Sequence, residues 1–262
     1  THTLFLDTGQ YNAHDPIVLS GRGDVGDDEG FVFTGPTDPA RVARILHAHP
    51  ATAAPIIELN DADYVTLSHL TLSNEQYGVL AHSGSENLAA DALTLTGNLL
   101  DGIRLEGGST ATSLDNLTVE ENGRYGIYID GAVSLISGST VRLNGKDGIY
   151  VDSSLPTALQ SSTVSGNTDI GINLRCDAST GTAVIGNADL SLELGNIIFN
   201  NGDDGINASG NVLVAGNTVY YHNGSGDAGI HLEAGAEARQ NVVYGNYYGI
   251  RGGRGDGTAI EN

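Results

Sequence analysis

Three carboxylates recur at a regular spacing in this 262-residue chain, and their pattern indicates cation binding. Glu106, Asp130 and Asp152 each lie four residues after a glycine that opens a short apolar segment. If the chain folds into stacked strands, the three side chains lie on neighbouring strands, where facing like charges are destabilising. Calcium accepts clustered carboxylates with loose geometry. We therefore predict a calcium site at these residues, with a hydrated acidic face as the alternative.

Two tyrosines accompany these acids. Tyr128 and Tyr150 each lie two residues before one of them, and an aromatic ring on an exposed strand can stack on a sugar. Such tyrosines can equally cover apolar neighbours. Arg175 and His231 occupy corresponding outward positions in later parts of the chain. We assign all four residues as candidate substrate-binding residues.

An internal repeat of about two dozen residues sets these positions. Eight times along the chain an Asn is followed, usually four residues later, by Gly and an aliphatic residue. The pairs are Asn74/Gly78, Asn98/Gly102, Asn122/Gly126, Asn144/Gly148, Asn167/Gly171, Asn201/Gly205, Asn223/Gly229 and Asn246/Gly249. A period of this length is typical of a solenoid, in which each unit buries its apolar face against its neighbours.

Within each repeat, apolar and polar residues alternate, which predicts short β-strands and an all-β fold. The residues one and three after the repeat Gly, such as Ile127 and Ile129, are predicted to face inward. The residues one before, two after and four after it are then predicted to face solvent. Asn and Gly tolerate the left-handed backbone of turns. Stacked Asn side chains can also bond one another in an internal ladder.

The unit Asn122-Gly-Arg-Tyr-Gly126-Ile127 resembles the coils of the right-handed parallel β-helix, the pectate-lyase-like superfamily. The resemblance extends from about Ile56 to the end of the chain. It implies a single-stranded β-solenoid of about ten coils. We expect residues 1–55 to form irregular N-terminal coils and residues 56–262 to form regular repeats. A loop insertion is expected near residues 175–195, where roughly ten extra residues enter one repeat.

The segment Tyr77-Gly-Val-Leu-Ala-His82 is similar to the Tyr-Gly-Phe-Asp-Pro-His motif of mannuronan C5-epimerases, with Leu80 in place of the Asp. Such enzymes, like alginate lyases, abstract a proton next to a uronate carboxylate. They need a base, an acid and a cation that holds the developing charge. The resemblance implies that Tyr77 and His82 are catalytic, with Arg104 on the next coil neutralising the carboxylate.

A second set of blocks resembles polygalacturonases. Asn167-Thr-Asp169, Asp203-Asp204 and Gly229-Ile-His231 are similar to the Asn-Thr-Asp, Asp-Asp and Gly-His-Gly blocks of those enzymes, although Ile170 shifts the first block. An inverting hydrolase needs two carboxyl groups roughly 6.5–9.5 Å apart, a separation that adjacent coils can supply. For an enzyme, we nevertheless favour a polysaccharide lyase or C5-epimerase over a glycoside hydrolase.

The composition limits the partners. The formal charge is −21, with 32 acidic and 11 basic residues, and this balance repels nucleic acids and anionic membranes. No apolar run reaches the ~18–20 residues that span a bilayer. Cys176 is the only cysteine, so no internal disulfide can form. An uncapped solenoid end exposes apolar side chains and unpaired strands, so we expect self-association through the ends or further coils beyond them.

These features predict an extracellular or cell-surface β-helix module that binds polysaccharide on its outward sheet face, with calcium as the candidate cofactor. A uronate polysaccharide lyase or C5-epimerase is the first alternative, so the sequence leaves open whether the protein is an enzyme. A structural segment of a repetitive fibre or adhesin, stacking end to end, is the second alternative. Neither nucleic-acid binding nor membrane insertion is expected.

Overall fold

The chain winds into a right-handed β-helix in the computed structural model, as predicted. The structure describes residues 2–21, 30–47, 54–179, 181–187, 189, 195–233, 235–252 and 259–261. All regular elements in these residues are β-strands. Over the same ranges there is no helix long and apolar enough to cross a membrane.

The strands are short and follow one another through tight bends. The first ten are β1 (Thr3–Phe5), β2 (Gly9–Ala13), β3 (Ile17–Ser20), β4 (Val32–Thr34), β5 (Ala43–His47), β6 (Pro55–Asn60), β7 (Thr66–Ser68), β8 (Leu70–Ser73), β9 (Tyr77–His82) and β10 (Leu88–Asp91). The next ten are β11 (Thr94–Thr96), β12 (Ile103–Leu105), β13 (Thr110–Asp115), β14 (Thr118–Glu120), β15 (Ile127–Asp130), β16 (Ala132–Ser137), β17 (Thr140–Arg142), β18 (Ile149–Ser153), β19 (Ala158–Gln160) and β20 (Thr163–Ser165). The last are β21 (Ile172–Cys176), β22 (Ala183–Gly186), β23 (Ile197–Phe199), β24 (Ile206–Gly210), β25 (Val212–Ala215), β26 (Thr218–Tyr220), β27 (Ala228–Leu232), β28 (Glu237–Arg239), β29 (Val242–Tyr244), β30 (Tyr248–Gly252) and β31 (Ala259–Glu261).

Every third strand joins the same parallel sheet, so successive coils stack directly on one another. Within the described residues, the first sheet runs from β1 through β4 and β7 to β31 and has 11 strands. The second runs from β2 to β29 and the third from β3 to β30, with 10 strands each. These numbers agree with the predicted solenoid of about ten coils.

The inward columns are buried as predicted. The first column, one residue after the repeat Gly, is fully buried from Val79 to Ile230, and the second, from Ala81 to Leu232, is equally inaccessible. Aliphatic side chains from the three sheets fill one continuous core along the axis. Burial of these side chains is the main source of stability in such a fold, because each coil has little core of its own.

The predicted Asn ladder is present. Each amide Nδ2 donates to the Oδ1 of the next coil at 2.9–3.0 Å along the series Asn98, Asn122, Asn144, Asn167 and Asn201. Each Oδ1 also accepts the backbone N–H of the preceding Asn at 3.1 Å. The ladder therefore satisfies buried polar groups at every turn.

Two of the eight predicted ladder positions are wrong. Asn74 is exposed, and the backbone N–H of Glu75 bonds the ladder instead. Asn223 is also exposed, and His222 takes its place between Asn201 and Asn246. Burial lowers the pKa of His222, with a smaller opposing effect from its bond to Asn246. A neutral imidazole fits this position, because one ring nitrogen accepts and the other donates.

The N-terminal coils and the insertion belong to the same three sheets. β1, β2 and β3 pair with β4, β5 and β6 in parallel register. β22 pairs with both β19 and β25, and the extra chain lies mainly between β22 and β23. Part of the predicted insertion, at residues 180, 188 and 190–194, lies outside the described residues.

Candidate functional site

The register of the third sheet lines up most predicted site residues on one outward surface, which we call the outer face. The residue two after the repeat Gly is half-buried in every coil from β9 to β30. This column reads Leu80, Arg104, Tyr128, Tyr150, Asn173, Asn207, His231 and Arg251. Neighbouring members lie about 4.8 Å apart along the axis. The prediction that this column faces outward is confirmed.

Two carboxylates and a ring hold Arg104 in place. Its Nη1 donates to Asp101 Oδ2 at 3.0 Å, and its Nε donates to Glu106 Oε2 at 2.6 Å. Its Cζ lies 4.1 Å from the ring centroid of Tyr128 and 6.0 Å from that of Tyr77. Burial lowers the pKa of Arg104, but the bonds to the two acids outweigh burial and raise the pKa above its usual range. The structure thus brings Tyr77 and Arg104 together.

His82, the third member of the predicted catalytic trio, is turned toward the preceding coil. Its Nε2 lies 2.8 Å from Glu58 Oε1, and its Nδ1 lies 2.8 Å from Ser83 Oγ. Both ring nitrogens are therefore engaged. Its orientation is set by Glu58 rather than by Tyr77 or Arg104.

Tyr128 and Tyr150 form a parallel stack on the outer face. Their ring centroids are 5.0 Å apart and their planes differ by 6°. Burial is the largest cause of the raised pKa of both hydroxyls. Arg104 covers one side of the Tyr128 ring and Tyr150 covers the other. A sugar on this surface therefore meets the edge and the hydroxyl of Tyr128 rather than its face.

Two further cations flank a buried ring next to this stack. The Tyr125 centroid is 5.0 Å from that of Tyr128. Lys146 Nζ donates to the Tyr125 hydroxyl at 2.6 Å, and this bond is the main cause of the raised pKa of Lys146. Arg124 Cζ lies 5.3 Å from the same ring centroid. We call Arg104, Arg124 and Lys146 the cationic cluster.

The three predicted calcium ligands are held differently. Glu106 is bonded to an arginine of its own coil, whereas Asp130 and Asp152 are register partners on β15 and β18. In the next coil, Arg175 Nη1 lies 3.9 Å from Asp152 Oδ2, while its Nη2 bonds Asp177 at 2.5 Å. No group of three or more His, Cys, Asp or Glu side chains suited to a metal ion is found in the described parts of the chain.

The sequence predicts that the residue before each repeat Gly faces solvent, and this is wrong in most coils. The buried members of this column are Asp101, Tyr125, Asp147, Asp204 and Ala228. In each of the three aspartates, Oδ1 accepts the backbone N–H at the same position of the next coil, at 2.5–3.3 Å. Oδ2 then holds an outer-face side chain: Arg104, Asn173 and His231, respectively. The bend before the strand therefore converts an expected surface position into a buried anchor.

Asp204, His231 and Arg251 form a second cluster near the C-terminal end of the outer face. His231 Nδ1 lies 3.0 Å from Asp204 Oδ2, and Arg251 Nη2 lies 3.4 Å from the same oxygen. Arg251 Nη2 is also 3.0 Å from His231 Nδ1, and Arg251 Nη1 donates to the carbonyl of Gly226 at 2.8 Å. Nδ1 has one role at a time: it either donates N–H to Asp204, which leaves Nε2 as the unprotonated nitrogen of a neutral ring, or accepts from Arg251 Nη2.

Asp227 adds an unusual carboxyl group to this second cluster. Burial raises its pKa, and repulsion from Asp203 and Asp204 raises the pKa further. A raised pKa of a carboxyl group is a common feature of acid–base sites. The second cluster combines a guanidinium at Arg251 with an imidazole at His231, the residue types that bind anions and transfer protons.

Comparison with known families decides the classification. A family model described as "Right handed beta helix region" matches residues 78–188 and, in an overlapping match, residues 101–262. The chain belongs to this right-handed beta helix family. The matched part of the β-helix contains both the cationic cluster and the second cluster.

Several solved structures resemble this β-helix. The A-module of mannuronan C-5 epimerase AlgE4 from Azotobacter vinelandii aligns with 99% of this chain and 91% of its own, at a TM-score of 0.59 and 14% identity. Pectate lyase Pel9A aligns with 97% of this chain and 69% of its own, at a TM-score of 0.67 and 15% identity. At such identities the likeness shows the shared fold. No curated protein matches the sequence.

Sequence reasoning missed the buried aspartates and two members of the cationic cluster. One signal was present, because Asp occupies the position before the repeat Gly in alternate coils, at Asp101, Asp147 and Asp204. For Arg124 and Lys146, only the register shows that both reach the ring of Tyr125.

Proposed function

We propose that this β-helix binds an anionic polysaccharide along its outer face, outside the cell or at the cell surface. The row from Arg104 to Arg251 offers donors and aromatic edges at regular intervals along the axis. Most of these side chains are already fixed by bonds to neighbours, so little conformational entropy is lost on binding. The names of two similar structures, a mannuronan epimerase and a pectate lyase, support the same class of ligand.

The cationic cluster is the observation that carries this proposal. A protein with a formal charge of −21 repels polyanions over most of its surface. Arg124 and Lys146 nevertheless lie side by side against one tyrosine ring. Neither forms an ion pair in the part of the chain that the structure describes, which leaves their charges available to a ligand. Guanidinium and ammonium groups are the usual partners of carboxylates and sulfates.

Binding of uronate chains tests the proposal. Isothermal titration with alginate and with polygalacturonate is expected to show binding that weakens with salt, because exposed charges are screened. Arg124→Gln combined with Lys146→Gln is expected to weaken binding about tenfold, the effect of ~1.4 kcal/mol. Arg142→Gln, on the second sheet, is the matched control and should bind as the unmodified protein does. Equal binding by all variants would contradict the proposal.

We propose that calcium strengthens the binding of the polysaccharide. Asp130 and Asp152 fit the chemistry, since both are outward carboxylates on adjacent strands. Glu106 fits less well, because its carboxylate already accepts a hydrogen bond from Arg104. Calcium prefers 6–8 oxygen ligands, so the two aspartates would hold it together with the polysaccharide and water. Asp130→Asn and Asp152→Asn are expected to remove any calcium dependence of alginate binding in titrations with and without a chelator.

A uronate lyase or C5-epimerase is the second candidate function, and the second cluster favours it. Asp204 orients His231, and the neighbouring Arg251 can neutralise a substrate carboxylate. His231 Nε2 would take the proton next to that carboxylate, which is the step that lyases and epimerases share. The acid–base residues would then lie at the second cluster rather than at Tyr77 and His82.

Product analysis separates binding from catalysis. Alginate and polygalacturonate are incubated with the protein and calcium, and the ultraviolet absorbance of unsaturated uronates is followed. Proton NMR of the product detects epimerisation, which leaves the absorbance unchanged. Activity lost in His231→Gln but kept in His82→Gln would assign the reaction to the second cluster. Activity lost in His82→Gln but kept in His231→Gln would assign the reaction to the predicted trio of Tyr77, His82 and Arg104. If no product forms, the proposed function is binding alone.

The fibre alternative has support at the first coil. Leu4 and Phe5 are 44% and 58% exposed there. Leu4 lines an apolar groove of about 250 Å³ together with Tyr11, Ile17 and Phe33, and Phe5 is outside that lining. We propose that another copy of the chain can cover this surface. Light scattering is expected to show concentration-dependent association that Leu4→Ser reduces, and a monomer at all concentrations would refute it.

A further inference from the structure

The second sheet carries an aromatic array that the outer face does not use. Phe199, Tyr220 and Tyr244 are register partners on β23, β26 and β29. Their centroids lie 5.1 and 5.0 Å apart, and their planes are parallel within 4°. Tyr221 stands at about a right angle to this ladder, 5.0 Å from Tyr220 and 6.0 Å from Tyr244 between centroids. We call these four residues the aromatic corner.

The outward columns of this sheet change character where the corner begins. In the coils before it they hold hydroxyl and charged residues, namely Thr71, Thr94, Thr118, Thr140 and Thr163, with Ser73, Thr96, Glu120, Arg142 and Ser165 beside them. At the corner one column becomes aromatic, and the column beside it reads Ile197, Thr218 and Val242. Ile197 and Val242 are 45% and 58% exposed. Tyr221 and Tyr244 are 49% and 46% exposed. Exposed apolar patches with a polar surround commonly mark interaction sites.

The backbone fixes the shape of the corner. Tyr221 has a φ of +64°, a left-handed conformation that is uncommon for a bulky residue. Gly245, with a φ of +65°, makes room for it, since a Cβ there would lie 2.7 Å from Tyr221 Cδ1. Strained residues of this kind persist where the surroundings determine them. The contacts with Tyr220 and Tyr244, on this backbone, place the Tyr221 ring against the ladder.

We propose that the aromatic corner is a second carbohydrate site and that it takes a neutral glycan. The four rings and the two aliphatic flanks carry no carboxylate, ammonium or guanidinium group, so nothing here compensates a uronate. On a chain with a charge of −21, an uncharged ligand avoids the repulsion that a polyanion meets. The three ladder rings cover one another's faces, so the C–H groups of a sugar ring would pack on the exposed Tyr221 ring and on the edges of the ladder. The sugar hydroxyls would bond the tyrosine hydroxyls.

This inference does not depend on the anionic site of the outer face. The corner lies on a different sheet, and its ligand differs in charge. A protein with both sites would hold an acidic and a neutral polysaccharide at once. A chain that does not bind uronates could still bind a neutral glycan at the aromatic corner, and a chain that binds no neutral glycan could still bind uronates on the outer face.

Titration with defined neutral oligosaccharides tests the corner. Cellohexaose, xylohexaose, laminarihexaose and maltohexaose are each titrated into the intact chain by calorimetry and by tyrosine fluorescence. At least one is expected to bind, and Tyr221→Ala is expected to weaken that binding about tenfold or more. Tyr64→Ala is the matched control, because Tyr64 is also an exposed tyrosine with a positive φ. The control should leave binding unchanged.

Three results would overturn the proposal. The first is no binding of any of the four sugars, and the second is binding that survives in Tyr221→Ala. The third is association of the chain with itself that disappears in Tyr221→Ala, because it would assign the patch to a second copy. Gly245→Ala gives an independent check. It keeps all four aromatic residues in the sequence but displaces the Tyr221 ring from the ladder, so it should weaken sugar binding while the circular dichroism of the fold is retained.

Discussion

The Arg104 region and the His231 region of the outer face are built on the same element, a buried aspartate that bonds the next coil. They lie five strands apart, or about 24 Å at the usual strand spacing. At the first, the guanidinium of Arg104 donates hydrogen bonds to two carboxylates, those of Asp101 and Glu106. At the second, a single carboxylate, Asp204, serves both His231 and Arg251. The first region therefore has two carboxylates for one basic side chain, whereas the second has one carboxylate for two basic side chains.

This difference separates a structural arrangement from a reactive one. Arg104 is paired on two sides and stacked on a ring, and a guanidinium cannot release its proton under ordinary conditions. His231 shares its partner, and its imidazole can both take and give a proton. The first region is thus suited to holding a fixed charge. The second is suited to chemistry or to binding that changes with protonation.

The largest effect is expected for Asp101→Ala. This change leaves the partly buried Arg104 with one carboxylate and removes the acceptor of the Tyr125 N–H. Breaking a buried ion pair costs about 3–5 kcal/mol. Urea denaturation monitored by circular dichroism should show a loss of that size. A loss below that of Asp204→Ala would remove the distinction between the two regions.

A smaller loss is expected for Asp204→Ala. The Ala228 N–H loses its acceptor, an effect of about 1–3 kcal/mol. Arg251 keeps its bond to the Gly226 carbonyl, so less charge is left without a partner. The same denaturation experiment measures the loss. The double variant Asp204→Ala/His231→Gln should cost little more than the single one if this account holds.

Asp147 is expected to lower the stability of the folded state when it is ionised, unlike Asp101 and Asp204. Asp147 lies in the same column, but its Oδ2 is held by the amide of Asn173 instead of a cation. Burial is the largest cause of its raised pKa, so its ionised form is destabilised in the folded state. Stability from this group is present below the unfolded pKa of 3.8 and is lost as pH rises through the folded value. Asp147→Asn removes this ionisation but turns one of two accepting oxygens into an N–H donor, so its effect on stability should be more favourable near neutral pH than at low pH.

Melting curves of Asp147→Asn at two pH values check this sign. The variant should be more stable, relative to the unmodified protein, near pH 7 than near pH 3, where the carboxyl group is protonated in both states. An effect that is equal at the two pH values, or less favourable near pH 7, would contradict a raised pKa of Asp147.

The smallest effect is expected on the second sheet. Arg142 bonds Glu120 at 2.6 Å, but the Arg142 side chain is 50% exposed. Exposed pairs contribute about 0–1 kcal/mol because water and salt screen them. Arg142→Gln should therefore leave the denaturation midpoint almost unchanged. A loss of stability as large as that of Asp101→Ala would show that solvent exposure does not explain the difference between the Arg142–Glu120 and Arg104–Asp101 ion pairs.

The fold followed from features that repeat along the chain. Alternation at Ile127 and Ile129 predicts their burial, and the spacing of the Asn–Gly units predicts one strand per coil in each sheet. The outward position of Arg104, Tyr128 and Tyr150 follows from the same alternation. Such features depend on residues close in sequence, so a single repeat contains the information.

The site was less predictable because its contacts join residues more than twenty positions apart. Alternation cannot show that Asp204 turns inward at a bend, or that its other oxygen meets His231. The same limit explains the ladder errors, where Glu75 and His222 displace the adjacent asparagines. Neither residue carries a local signal for its place, since the register decides which of two neighbours points inward.

The Asn ladder makes the coils interchangeable. Each ladder asparagine donates to the coil on its C-terminal side and accepts from the coil on its N-terminal side, with nearly identical distances. Removing one repeat, from Asn122 to Leu143, would bring Asn98 against Asn144, which offers the same acceptor. Gene duplication or deletion can therefore lengthen or shorten the rod in whole turns, and with it the reach of its binding surfaces, while the interior chemistry stays the same.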